Sequence, residues 1–254
     1  MRHARVLGYA GIAAFAVAAV AFAQTTVQAV PADAAAKTAP LVEAKATWGD
    51  VKRGATKAGT CAACHGLDGN PTDAQYPRLA GMPERYVAHQ LTMFKSGERN
   101  TGMAAVMKPF ADALSAQDMR DLGAYFATQK AGAGVADDTV IASGPNTGKK
   151  FFEVGQQLFR NGDKARGIPA CMACHGPSGG GNPGPAFPAV AGQQSAYVQR
   201  RLEEYRTGTT TQGDAHLFNI MAKVAKPLTD EEIRSVASYV QGLHHRTDES
   251  VVAE

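Results

Sequence analysis

The chain has 254 residues, 44% of them apolar, with 26 Lys and Arg against 23 Asp and Glu and a formal charge of +3. A balance this even excludes the basic surface that nucleic-acid binding requires and argues against strong electrostatic capture of any partner. A weak, transient docking surface fits it better.

At the start, Met1 to Arg5 is basic, Val6 to Phe22 is almost wholly apolar, and Ala21-Phe22-Ala23 precedes Gln24. This reads as a secretory signal over residues 1–23, ending in a small-residue cleavage site. The rival is an uncleaved anchor, since Val6 to Phe22 is 17 residues, at the lower limit of the ~17–25 that span a bilayer. The Ala and Gly richness and the clean cleavage site favour removal. Without Arg2 and Arg5 the mature chain carries 24 basic against 23 acidic residues. Residues 24–46 lack a clear period and read as a flexible leader.

From Asp50 to Ala58 a short helix is expected, delivering Cys61-Ala62-Ala63-Cys64-His65. Apolar residues at three- and four-residue steps predict a second helix from Pro83 to Ser96 and a third from Ser115 to about Gln129. The third starts with Ser115-Ala116-Gln117-Asp118, a capping-box pattern. Residues 131–148, rich in Ala, Gly, Asp and Thr, read as a linker. The pattern then returns: a helix over Lys149 to Arg160, Cys171-Met172-Ala173-Cys174-His175, a helix over Gln193 to Arg206, and a last one over Thr229 to Leu243 with its own capping box. Residues 247–254 read as a loose tail.

Both cysteine stretches are C-x-x-C-H, the signature of covalent c-type haem attachment. Two thiols add to the two vinyl groups of one haem, and the adjacent His reaches the iron from the same side. Cys61, Cys64, Cys171 and Cys174 are therefore expected to hold two haem c groups, with His65 and His175 as proximal ligands. All 4 cysteines are used, so none remains for a disulfide. A zinc ribbon would separate its cysteine pairs by roughly 15 to 20 residues, and here they are more than a hundred apart. A redox dithiol has no need of the histidine.

The copies align residue by residue. Pro77, Ala80, Gly81, Tyr86, Leu91 and Gly97 match Pro188, Ala191, Gly192, Tyr197, Leu202 and Gly208, each 111 positions on, while Leu114, Ser115 and Tyr125 match Leu228, Thr229 and Tyr239 at 114. This is the duplication of one domain, and the fold expected is all-α: two tandem domains over residues 47–130 and 149–246. Domains this small have marginal cores, and a covalently held haem supplies a staple and an apolar centre.

The sixth iron position can be argued by elimination. Downstream of His175 the only Met is Met221, eight residues before Thr229, and the matching position before Ser115 is Met107. Met107 is thus preferred to Met82, Met93, Met103 and Met119, with Met103 its main competitor; Met93 and Met119 read as core filler. His216 is an alternative to Met221. His89 corresponds to Arg200 in the second copy and so lies outside the duplicated site, and His244 and His245 read as exposed. His and Met together raise a haem's potential, and a filled sixth site leaves no place for oxygen or peroxide. The reading is an electron carrier and not an enzyme; a dihaem peroxidase would need one iron able to shed its ligand.

The run from Gly176 to Gly184 lacks the G-K-[ST] ending of a phosphate loop and reads as a tight surface loop. Trp48, Tyr125, Phe126 and Tyr239 read as core or haem-edge packing.

With these residues assembled, the chain resembles the dihaem cytochrome c4 family over about Thr47 to His244. The likeness rests on Cys61 to Gly66 with Asp68-Gly69-Asn70, Tyr76 to Gly81, Glu84-Arg85-Tyr86, Leu122 to Phe126, Ile168 to Cys171 and Tyr239 to His244. It implies two class I cytochrome c folds packed so that the haems exchange electrons directly. It further implies a periplasmic protein, often held at the inner membrane, passing electrons from a quinol-oxidising cytochrome bc complex to a haem-copper terminal oxidase. The alternative is a cytochrome subunit accepting electrons from a periplasmic dehydrogenase. In class I cytochromes a proximal Pro accepts the imidazole proton; Pro77 and Pro188 either do this or merely shape their loops.

Overall fold

In a computed structural model, residues 46–208 and 215–244 are described, and among them the secondary structure is helical, with only isolated β-bridges. The expected signal segment, most of the leader and the tail lie outside the described residues. Ten helices run in chain order: α1 Val51–Ala58, α2 Ala62–His65, α3 Glu84–Ser96, α4 Ala104–Asp112 and α5 Ala116–Ala127, then α6 Phe151–Asn161, α7 Met172–His175, α8 Ser195–Thr207, α9 His216–Ala225 and α10 Asp230–Gly242. The second five repeat the first five.

Local chemistry sets the starts. The Asp50 carboxylate accepts from the Arg53 amide at the head of α1. Ser115 with Asp118, and Thr229 with Glu232, close reciprocal capping boxes at α5 and α10, satisfying amides that a helix start leaves without partners. Gly97 and Gly208, at φ 78° and 71°, end α3 and α8 at equivalent places.

In each copy the first and last helices cross at a glycine. A β-carbon on Gly54 would stand 2.0 Å from the Asp121 carbonyl oxygen, and one on Gly155 would stand 2.0 Å from that of Ser235. The missing side chain lets α1 lie on α5 and α6 on α10. Around these crossings sit Leu122 and Phe126 in the first copy, and Leu158, Phe159, Ile233, Val236 and Val240 in the second. The copies share a further tie. The Gly81 amide donates to Phe126 O at 2.9 Å, and the Gly192 amide donates to Val240 O at 2.8 Å.

Two helices were not foreseen. The stretches carrying Met107 and Met221 form α4 and α9. Neither has a side-chain cap, and Pro109 stands inside α4, so the usual start signals are missing and a breaker is present. Trp48 is not core packing: it is 70% exposed, with the Arg120 guanidinium over its ring at 4.8 Å.

Residues 131–148, read as a linker, run along the second copy. Gly134 N donates to Gln241 O, Asp137 N to Ser238 Oγ, and Ile141 N to Lys149 O. Ile141 enters the second copy's core.

The two copies dock through polar pairs, with Gln193 and Gln194 buried among them. Gln193 accepts from the Arg78 amide at 2.8 Å and donates to the Arg78 carbonyl at 3.1 Å. Gln194 donates to Pro71 O, Arg85 to Gly184 O, and Arg99 to the Tyr197 hydroxyl. Met82 and Val87 pack with Ala189 to give the seam an apolar centre.

Candidate functional site

Each C-x-x-C-H run ends in a single helical turn, α2 or α7, which puts the histidine at its C-terminus. Gly66 and Gly176, at φ 75° and 81°, then turn the chain away. In the first copy Gly66 has to be glycine for space as well, because a β-carbon would meet Asn70 O at 2.5 Å.

Both imidazoles are buried and held alike. His65 Nδ1 lies 2.9 Å from Pro77 O, and His175 Nδ1 lies 2.9 Å from Pro188 O. A carbonyl can only accept, so Nδ1 carries the proton and Nε2 presents its lone pair as a metal ligand. Burial lowers both histidine pKa values, partly opposed by those hydrogen bonds, and so favours the neutral form that binds a metal. Of the two readings of Pro77 and Pro188, the carbonyl-acceptor reading is the one this geometry matches.

The four cysteines are half-buried and form no disulfide with one another. Burial raises the Cys61 pKa and pushes Cys171 up to about 11, so neither is the activated thiolate of a redox dithiol. Among the described residues, no three His, Cys, Asp or Glu side chains gather into a metal site of the zinc type.

A cleft opens beside Cys171, Cys174 and His175, walled by Phe159, Pro188, Val190, Leu202, Met221 and Val240. Apolar walls, two thiols, a Pro-oriented imidazole and a thioether suit a haem, which needs each of them. Met221 thus shares a cavity with His175, as its pairing requires. Met107 packs against the cluster of Phe94, Ala104 and Ala111. The burial pattern supports its equivalence to Met221. Ala104 and Ala111 are buried in α4, as are Phe218 and Ala225 114 positions on in α9. Met103 instead aligns with Leu217 and stands at the N-cap of α4. The Met-bearing helices are tethered alike: Lys95 Nζ donates to Leu114 O at 2.6 Å, and Arg206 Nη1 to Leu228 O at 3.1 Å. Met93 and Met119 are buried, and His244 is exposed, as expected.

Sequence reasoning missed that the second cleft is walled partly by the first copy. Tyr86, His89, Gln90 and Met93 of α3 line it, as do Tyr197, Arg201 and Tyr205 of α8. One signal was present: Arg201 sits four residues from a tyrosine on either side, on a face that should be apolar.

Comparison with known proteins agrees with this geometry. The cytochrome c family model matches residues 51–130 and 152–244. Cytochrome c4 of Pseudomonas aeruginosa is 41% identical over 197 residues, covering 77% of this chain and 90% of that protein. The thiosulfate dehydrogenase electron acceptor of Thiomonas intermedia is 39% identical, covering 72% of this chain and 78% of that one. The crystal structure of reduced cytochrome c4 from Pseudomonas stutzeri superposes with a TM-score of 0.67 at 38% identity, covering 77% of this chain and all of that one. With two C-x-x-C-H sites on duplicated cytochrome c folds, the protein carries two covalently bound haem c groups and transfers electrons, and it belongs to the dihaem cytochrome c4 family.

Proposed function

We propose that this protein works outside the cytoplasm, carrying single electrons from a quinol-oxidising cytochrome bc complex towards a haem-copper terminal oxidase. The observation that carries the reading is the matched pair of sites: two prolyl-oriented histidines, each with an aligned methionine in an equivalent helix. When bound, haem supplies reversible one-electron chemistry at iron.

The chain's own residues do the rest. Cys61, Cys64, Cys171 and Cys174 anchor the two groups. His65 and His175 supply Nε2, and Met107 and Met221 supply thioether sulfur. Held by one histidine and one methionine each, the haems would offer substrate no open position and would supply electron transfer without bond chemistry. Among the described residues no helix is long and apolar enough to cross a membrane. Placement in the periplasm, with peripheral association at the inner membrane, follows from the sequence of residues 1–23 and from the family.

A second reading is that the donor is a periplasmic dehydrogenase. The 39% identity to a thiosulfate dehydrogenase electron acceptor favours it. Rapid mixing separates the two. Reduction of the purified protein by quinol only when the bc complex is present, followed by reoxidation by the oxidase, supports the main reading. Reduction by a thiosulfate-oxidising dehydrogenase, with no response to the bc complex, replaces it.

A further inference from the structure

The second haem site has a component that duplication does not supply. Among the described residues, Arg201 is the one charged side chain, histidines aside, on the lining of its cleft. It is 8% exposed. In the first copy the equivalent residue is the neutral Gln90.

Arg201 pairs with Glu204, donates to the Tyr205 hydroxyl at 2.9 Å and stacks on the Tyr205 ring at 4.6 Å. These bonds engage two of the five N–H donors of a guanidinium. A second cation reaches the same place from the first copy. Arg99 donates to Gln90 at 2.6 Å and to the Tyr197 hydroxyl at 3.3 Å, and its Nε is buried without a partner. Tyr86 and Tyr197, which are equivalent positions, both line the cleft there. Glu204, the carboxylate paired with Arg201, also accepts from Thr101 of the first copy. A half-buried cluster with net positive charge and surplus N–H donors is costly unless an anion completes it.

A haem brings both an apolar macrocycle and carboxylates. We infer that Arg201, with Tyr86 and Tyr197, receives a propionate carboxylate of the second haem, and that Arg99 backs this anion site from the first domain. The second haem's site is then complete only when the domains are docked. Its buried cation stands at a position where the first copy carries the neutral Gln90. The inference rests on haem attachment at Cys171 and Cys174 and is independent of the donor and acceptor proteins.

The test uses the two-haem protein and Arg201→Gln, which copies the first domain's residue. Haem content is counted by pyridine haemochrome, and the two potentials are followed by spectroelectrochemistry with NMR assignment. The expected result is about a tenfold fall in the reduction equilibrium constant of the second haem, or 59 mV for one electron, with the first unchanged. Carboxylate bands in the redox-difference infrared spectrum should shift as well, which simple loosening of the fold would not do. Arg99→Gln should move the second haem in the same direction but less. Unchanged potentials and carboxylate bands in Arg201→Gln with both haems present overturn the inference, and so does an equal shift of both haems. Should Arg201→Gln fail to retain the second haem, Arg201→Lys decides: recovery of the haem supports the anion site, and failure of that variant too assigns Arg201 a packing role.

Discussion

Gly54 lies so close to Asp121 that a β-carbon would approach the Asp121 carbonyl oxygen to 2.0 Å, and Gly155 has the same relation to Ser235. In an open helix, Gly→Ala gains up to about 1 kcal/mol from propensity. Here the obstacle is backbone, which cannot swing aside, so the helices must separate. Gly54→Ala and Gly155→Ala should each destabilise their own domain by about 1–3 kcal/mol, read as a lower midpoint in thermal or denaturant unfolding of the haem-loaded protein. A rise in the midpoint would show that the crossing is looser than described.

The axial assignment makes a spectroscopic prediction. Met221→Ala and Met107→Ala should each remove the sulfur-to-iron charge-transfer signature of one haem and leave the other intact. Met103→Ala should remove neither. Near-infrared magnetic circular dichroism of the oxidised proteins checks this, and a persistent double signal in Met107→Ala would transfer the ligand role to Met103.

Asp121 is 1% exposed and accepts from Arg53 at 2.8 Å, from the Asp50 amide at 2.8 Å and from Gln117 at 2.9 Å. The Arg53 hydrogen bond leads in lowering its pKa to about 2, against a burial effect of opposite sign. A carboxyl lowered on folding stabilises the folded state above its unfolded pKa, near 4, and the gain is lost as pH falls towards 2. Thermal melts from pH 7 to pH 2.5 should therefore show the first domain losing stability below pH 4. Asp121→Asn should melt lower at pH 7 and depend less on pH across that window. The second copy has Ser235 at this place and lacks this contribution.

Gln193 is buried and holds both backbone groups of Arg78 from the other copy. Gln193→Ala leaves a half-buried N–H and C=O without their partner, at a cost of about 1 kcal/mol to docking. Faster hydrogen exchange at the Arg78 amide, with both haem spectra preserved, is the expected outcome. Unchanged exchange would mean that the apolar contacts of Met82, Val87 and Ala189 hold the seam without it.

Several features were legible without coordinates because their causes act over a few residues. The C-x-x-C-H spacing is a covalent constraint, and the capping boxes at Ser115 and Thr229 close within one turn. Internal duplication extended that reach, since comparing the copies singled out Met107 and Met221 from the other methionines. The helices bearing those residues were not legible. They lack side-chain caps, and Pro109 interrupts the pattern of the first, so their helicity depends on packing through Ala111 and Ala225 and on the tethers from Lys95 and Arg206.

From the sequence alone came the two attachment sites, the helical class and the doubling of the domain. Only the tertiary structure decided that Pro77 and Pro188 present carbonyls to the imidazoles, that Gly54 and Gly155 admit the crossing helices, and that α3 of the first domain walls the cleft of the second. These relationships join residues from about a dozen to more than a hundred positions apart, and such contacts leave no local period in the chain. They arise when burying apolar surface brings distant backbone and side-chain groups together, and each buried polar group must then find its partner wherever the fold has put one.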